Sequence, residues 1–136
     1  MFGDWGNELL IDDIEHGVLR RNGDRKSDKP RQFSLADERL KLMVNELDSR
    51  VHFALNCGSI SCPPIAYYET SKIDQQLRFA EQNFSQSEFV INHKKRTIEC
   101  SSIFVWYRKD FGNWYLNAPE LSRYKIIERP YVWKIQ

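Results

Sequence analysis

Arg50-Val51-His52-Phe53-Ala54-Leu55-Asn56-Cys57-Gly58-Ser59-Ile60-Ser61-Cys62-Pro63-Pro64 begins apolar and ends in a polar loop closed by two prolines. Both faces of residues 50–56 are apolar or small, which predicts a central strand covered on two sides. In that strand Val51, Phe53 and Leu55 face one way, and His52, Ala54 and Asn56 the other. The window holds two of the three cysteines and one of the three histidines. No other stretch joins so much apolar content to so many reactive side chains.

Working outward, Ile11 to Asn22 reads as a helix, with Ile11, Ile14, Val18 and Leu19 at helical spacing. Asp12 and Asp13 suit its first turn, Arg20 and Arg21 its last, and Asn22-Gly23 its stop. The first eight residues read as irregular, and 23–32 as a charged surface loop. Ser34 then caps a second helix, with Asp37 at its third position and a buried stripe of Ala36, Leu40, Met43, Val44 and Leu47. After the cysteine loop a third helix is predicted over Lys72 to Ser85, opened by a Ser71/Asp74 capping box. A hairpin follows over 88–92 and 97–100. Ser101 or Ser102 caps a short helix through Tyr107, and Asp110-Phe111-Gly112-Asn113 ends it. A short helix near Ala118 to Tyr124 and an extended tail over 131–135 complete the chain. The fold class is α+β: about four or five helices around a small, mostly antiparallel sheet, with the buried strand near residues 50–56. The helix that follows this strand leaves room for a partly parallel sheet.

At 136 residues the chain has the size of one domain with a sizeable core. Hydrophobic content of 41% and charged content of 29% are those of a soluble globular protein. The formal charge of +1 argues against a nucleic-acid surface. The basic runs Arg20-Arg21 to Arg25-Lys26 and Lys94-Lys95-Arg96 read as solvated loops. No apolar run reaches the ~20 residues of a membrane span, and Met1 to Trp5 lacks a signal-peptide pattern. A cytoplasmic location is the expectation. Three cysteines do not suggest a secreted disulfide framework.

Cys57 at a strand end, before Gly58, is placed as a nucleophile would be. The Gly58/Ser59 backbone beside it suits an anion or oxyanion pocket. A thiol needs a base or a positive field to ionise. His52 is the tempting base, but five residues of strand would hold the two Cα atoms roughly 16 Å apart. Glu15 and His16 are the better candidate partners. At 100° per residue Glu15 falls inside the apolar arc of its helix. There it either fixes a loop by accepting hydrogen bonds or serves as a site carboxylate. Asn56, Gly58, Ser59, Cys62 and Asp110 are candidate binding residues, and Asp110 has the chemistry to orient a histidine. A Cys57–Cys62 bridge is sterically possible, but C-x4-C is neither the C-x2-C redox signature nor a zinc spacing. His93 reads as exposed and Cys100 as a packing residue. No metal and no cofactor are expected.

Ile11 to Arg20 resembles the "L-D-D-I-E-H-G-I-L-R" segment of the domain-of-unknown-function-547 family. Arg50 to Pro64 resembles its "R-I-H-F-A-L-N-C-G-A-x-S-C-P-P" signature, with Ser59 for Ala. Ser102 to Phe111 is similar to its "S-x-I-F-x-W-Y-x-x-D-F" block. Pro130-Tyr131-Val132-Trp133 is similar to "P-Y-D-W", with Val132 in place of Asp. The resemblance implies a domain without an established activity. It also implies a preceding helical part with a "W-I-N-x-Y-N" segment, absent from this sequence, so the chain reads as a fragment of a larger unit.

Two functions fit these residues. The first is a non-catalytic binding or scaffold module, in which Glu15, His16, His52, Asn56 and the cysteine loop form a buried polar network. The alternative is a thiol-dependent hydrolase or transferase, with Cys57 as nucleophile, His16 or His52 as base, and Glu15 or Asp110 as orienter. The partner is an unknown small molecule or protein, or the missing N-terminal half of the same domain.

Overall fold

The structure, a computed structural model, describes residues 9–24, 30–112 and 119–135. The first eight residues, the Arg25-Lys26 part of the basic run, Asn113 and Ala118 lie outside them. The chain forms two compact units, residues 1–48 and 49–136. The class is α+β, with helices and one three-stranded sheet.

In the first unit the predicted helix is present but wound as a π-helix over Asp13–Leu19. The Arg20 and Asn22 amides bond back five residues, to the Glu15 and Gly17 carbonyls, at 2.9 Å each. The wider winding turns a different face inward from the one expected at 100° per residue. Ile11 is 82% exposed, while Asp13, His16, Arg20 and Asn22 are buried. Gly17 explains the close approach on that inner face. A Cβ there would lie 2.1 Å from the ring of Phe33. The stop also differs: Arg21 and Asn22, rather than Gly23, take the left-handed conformation, both with φ of 53°. Asn22 is held there because its amide group bonds both backbone groups of Phe33, at 2.8 and 2.9 Å.

The second helix shrinks to a 3-10 turn over Glu38–Leu42. Asp37, not Ser34, is its cap, accepting the Arg39 amide at 2.9 Å. The same carboxylate holds the Arg39 guanidinium at 2.8 Å. The helix ends early because Val44 gives its amide to the Val18 carbonyl instead.

In the second unit the strand expected over 50–56 is replaced by a 3-10 helix, Ser49–Phe53. The Ala54 and Leu55 amides return to the Val51 carbonyl at 3.0 Å. A short apolar run does not distinguish a strand from a helical turn by periodicity. Here the turn buries two consecutive residues, His52 and Phe53, as a strand covered on both faces also would, but the backbone bonds are local to the segment and not to a neighbouring strand.

Helix α1, Ile73–Glu88, matches the third predicted helix and buries Leu77 and Phe84. The proposed Ser71/Asp74 box is absent. A 3-10 turn over Thr70–Lys72 leads in, and Asp74 pairs with Arg50 and Arg78. The hairpin forms as β1, Val90–Asn92, and β2, Thr97–Ser101, paired antiparallel. Helix α2, Ser102–Trp106, is capped by the Ser101 hydroxyl, and α3, Arg108–Phe111, follows. A 3-10 helix, Pro119–Arg123, leads into β3, Lys125–Arg129, which sequence reading missed. It pairs parallel to β2, so the sheet is mixed, not mostly antiparallel. Charged residues at both ends of β3 and its weak burial alternation hid it.

The core of this unit is aromatic. Phe53, Phe84, Phe104 and Phe111 pack with centroids 5.3–5.9 Å apart, beside Cys100 and Ile103. Such ring packing adds to the area term. It fixes where the loop after Phe53 begins. Among the described residues no helix is long and apolar enough to cross a membrane.

Candidate functional site

Three polar groupings hold the residues singled out from the sequence. In the first unit, His16 Nδ1 lies 3.0 Å from Arg20 Nη1, and its Nε2 lies 3.8 Å from the Glu15 carboxylate. Arg20 is buried and also donates to the Asp24 carbonyl at 2.9 Å. Beside them Asp13 accepts from Leu10, Gln32 and Arg39. Burial pushes its carboxyl up, but those donors and the Arg39 charge outweigh it and hold it below the usual range. Arg39 also covers the Phe33 ring at 4.5 Å.

In the second unit His52 meets Asp110, Nε2 to Oδ2 at 2.8 Å. Both side chains are buried. The imidazole stacks on Tyr107 at 3.9 Å and meets Phe111 edge-on at 5.2 Å. The 3-10 turn aims His52 at this wall, so the strand-based separation from Cys57 no longer applies. The hydrogen bond of His52 goes to Asp110, not to a cysteine.

The third grouping is the loop 56–63. Asn56 folds it: its Oδ1 accepts the Gly58 amide at 2.6 Å, and its Nδ2 donates to the Pro63 carbonyl. Gly58 takes φ of 80°, a conformation that favours glycine. The loop is tied to the end of the chain by the Ile60 amide on the Lys134 carbonyl, 2.9 Å, and the Val132 amide on Ser61 Oγ, 2.8 Å.

This folding brings the two loop thiols together. Cys57 Sγ and Cys62 Sγ lie 2.7 Å apart, both free. The Cys57 amide donates to Cys62 Sγ at 3.1 Å. Ser59 Oγ lies 3.4 Å from each sulfur and donates to Tyr131 Oη at 3.0 Å. Tyr131 Oη lies 3.1 Å from Cys62 Sγ and 3.6 Å from Cys57 Sγ. The Tyr131 ring packs against Trp106 and Trp133 at 4.9 and 4.5 Å, and the two indoles stack on each other at 5.9 Å.

These contacts decide the ionisation. Burial raises Cys57, but hydrogen bonds with Cys62, Ser59 and Tyr131 outweigh it and bring its pKa down to about 7. Burial and then the Cys62 sulfur push the Tyr131 phenol up, so it remains a donor at neutral pH. Burial holds Cys100 up at about 11, as suits a packing residue. Cys57 is exposed, so a low thiol pKa coincides with access. Among the described residues no histidine hydrogen-bonds Cys57. Nor does any group of three or more His, Cys, Asp and Glu side chains gather there as metal ligands would.

Tyr131 was not among the candidate residues. It stands 69 residues from Cys62, a separation that local spacing cannot bridge. Its one signal was the Pro130-Tyr131 block near the chain end.

A family model described as "Protein of unknown function, DUF547" matches residues 5–84, more than half of the chain. The match spans both the Ile11–Arg20 and the Arg50–Pro64 segments. No curated protein and no solved structure matches.

Proposed function

The chain belongs to the DUF547 family of proteins of unknown function, and from that premise we propose that its working part is a dithiol which exchanges with disulfides. The observation that supports this is the contact between the Cys57 and Cys62 sulfurs in an accessible loop. Cys57 as thiolate attacks one sulfur of a substrate disulfide, forming a mixed disulfide and releasing one thiolate. Cys62, losing its proton to solvent, attacks Cys57 and releases the second thiolate. Both released thiolates take protons from water. The dithiol is oxidised to one disulfide, and the substrate disulfide is reduced to two thiols.

Cys57 takes the nucleophilic role that the alternative reading of the sequence gave it, with hydrogen bonds instead of a histidine favouring its thiolate. A thiol poised near neutral pH also attacks faster than a far more acidic one, because nucleophilicity falls with pKa. A cytoplasmic setting, where thiols are kept reduced, suits such a pair. The binding or scaffold reading retains one support of its own. The buried His52–Asp110 contact serves packing, as a satisfied polar network does.

The test is oxidation of the reduced chain by hydroxyethyl disulfide, followed by peptide mapping. The proposal requires a Cys57–Cys62 disulfide in the wild type, a trapped mixed disulfide on Cys57 in Cys62→Ser, and no reaction at the loop in Cys57→Ser. A wild-type chain that stays reduced removes it.

A further inference from the structure

A cavity of about 230 Å³ is lined by Cys62, the second thiol of the pair, and by Tyr131. It lies below the roughly 300–1,000 Å³ of pockets for larger ligands, so its occupant is small. Ser101 and Ser102 line it as well, and Glu88 and Arg129 supply its charges. Glu88 ends α1 and Arg129 ends β3. They face each other without closing a tight pair: Arg129 Nη1 lies 3.6 Å from the Glu88 carboxylate. A charge-assisted bond is nearer 2.7–2.9 Å, about the range in which both charges would be spent. Arg129 Nη2 donates to the Glu88 carbonyl at 2.6 Å. Its Nε–H is buried with no hydrogen-bond partner, and an unmet buried donor is costly.

We infer that this cavity takes the zwitterionic head of a small amino-acid disulfide of the cystine class, Arg129 receiving the carboxylate and Glu88 the ammonium. The inference rests on the thiol–disulfide reading above. A simple anion would meet Glu88 and a simple cation would meet Arg129. A zwitterion supplies an acceptor to the guanidinium and a donor to the carboxylate at once. Cys62 lines the same cavity and its sulfur touches that of Cys57, so a head seated there leaves its disulfide beside Cys62 and within one sulfur of the attacking Cys57. The chemistry is the same thiol–disulfide exchange, with cystine reduced to two cysteines as the dithiol closes to a disulfide.

The experiment measures the oxidation rate of the reduced full chain by four disulfides: cystine, cystamine, dithiodipropionate and hydroxyethyl disulfide. Each rate is divided by the rate of that disulfide with free dithiothreitol. Cystine should exceed the other three by about tenfold or more, as polar recognition of a substrate group allows. The advantage should shrink toward one in both Arg129→Gln and Glu88→Gln. S-methylcysteine, a zwitterion without a disulfide, should slow oxidation by hydroxyethyl disulfide in the wild type. This readout needs no variant to fold. Four equal normalised rates with no protection would overturn the cystine inference and leave disulfide exchange standing. A chain that none of the four oxidises would overturn both.

Discussion

His52 Nε2 and Asp110 Oδ2 lie 2.8 Å apart across 58 residues of sequence, both side chains buried. The contact pins the 3-10 turn before the cysteine loop to helix α3. Removing the carboxylate in Asp110→Ala strands the imidazole beside Tyr107, at a cost of about 1–3 kcal/mol for an unmet buried polar group. Urea unfolding should show that loss. The pH midpoint of Cys57 alkylation should not move. A midpoint that rises in Asp110→Ala would instead couple the histidine to the thiol.

Gly17 and Phe33 pack closely in the first unit. An added Cβ would sit 2.1 Å from the ring. The ring cannot retreat easily, since Asn22 holds its backbone and Arg39 covers it. Gly17→Ala should therefore destabilise by about 1–3 kcal/mol, as overpacking does. That outweighs the gain of up to about 1 kcal/mol from replacing glycine in a helix. A lower urea midpoint at unchanged slope is the expected result.

Asp13 links the stability of that unit to acid. Its donors lower its folded pKa beneath the unfolded value near 4. The stabilisation is full above the unfolded value and is lost as pH falls through the folded one. Asp13→Asn should be less stable than wild type at neutral pH, and the gap should narrow below about pH 4. Thermal unfolding of both proteins across that range checks the sign.

Much of the second unit was legible in sequence. α1, the hairpin and the Ser101-capped helix rest on patterns local to each segment. The Arg50–Asn56 run was not, because an apolar stretch of that length satisfies a strand and a helical turn alike. The π-winding of Asp13–Leu19 was illegible for another reason. It shows only as a shift of the amide bonds to five residues back, and the Phe33 ring that packs on Gly17 comes from outside the helix itself. At the site, Cys57, Asn56, Gly58, Ser59 and Cys62 announced themselves by composition and proximity in sequence. Their meeting with Tyr131 depends on the chain end returning to the loop, which no local spacing encodes.

Tyr131 and Cys62 act on Cys57 through hydrogen bonds that favour its thiolate. Tyr131→Phe keeps the ring packed against Trp106 and Trp133 but removes the hydroxyl. Cys57 should then titrate higher, toward the ordinary thiol value of 9.0. Iodoacetamide alkylation rates against pH, read at Cys57 by peptide mapping, check the shift.

The most direct measurement is that same alkylation profile for the wild type beside Cys62→Ser. If the two sulfurs work as one pair, the wild-type midpoint lies near 7 and moves up when Cys62 is replaced. A wild-type midpoint at the ordinary 9.0, unchanged in Cys62→Ser, would contradict the account.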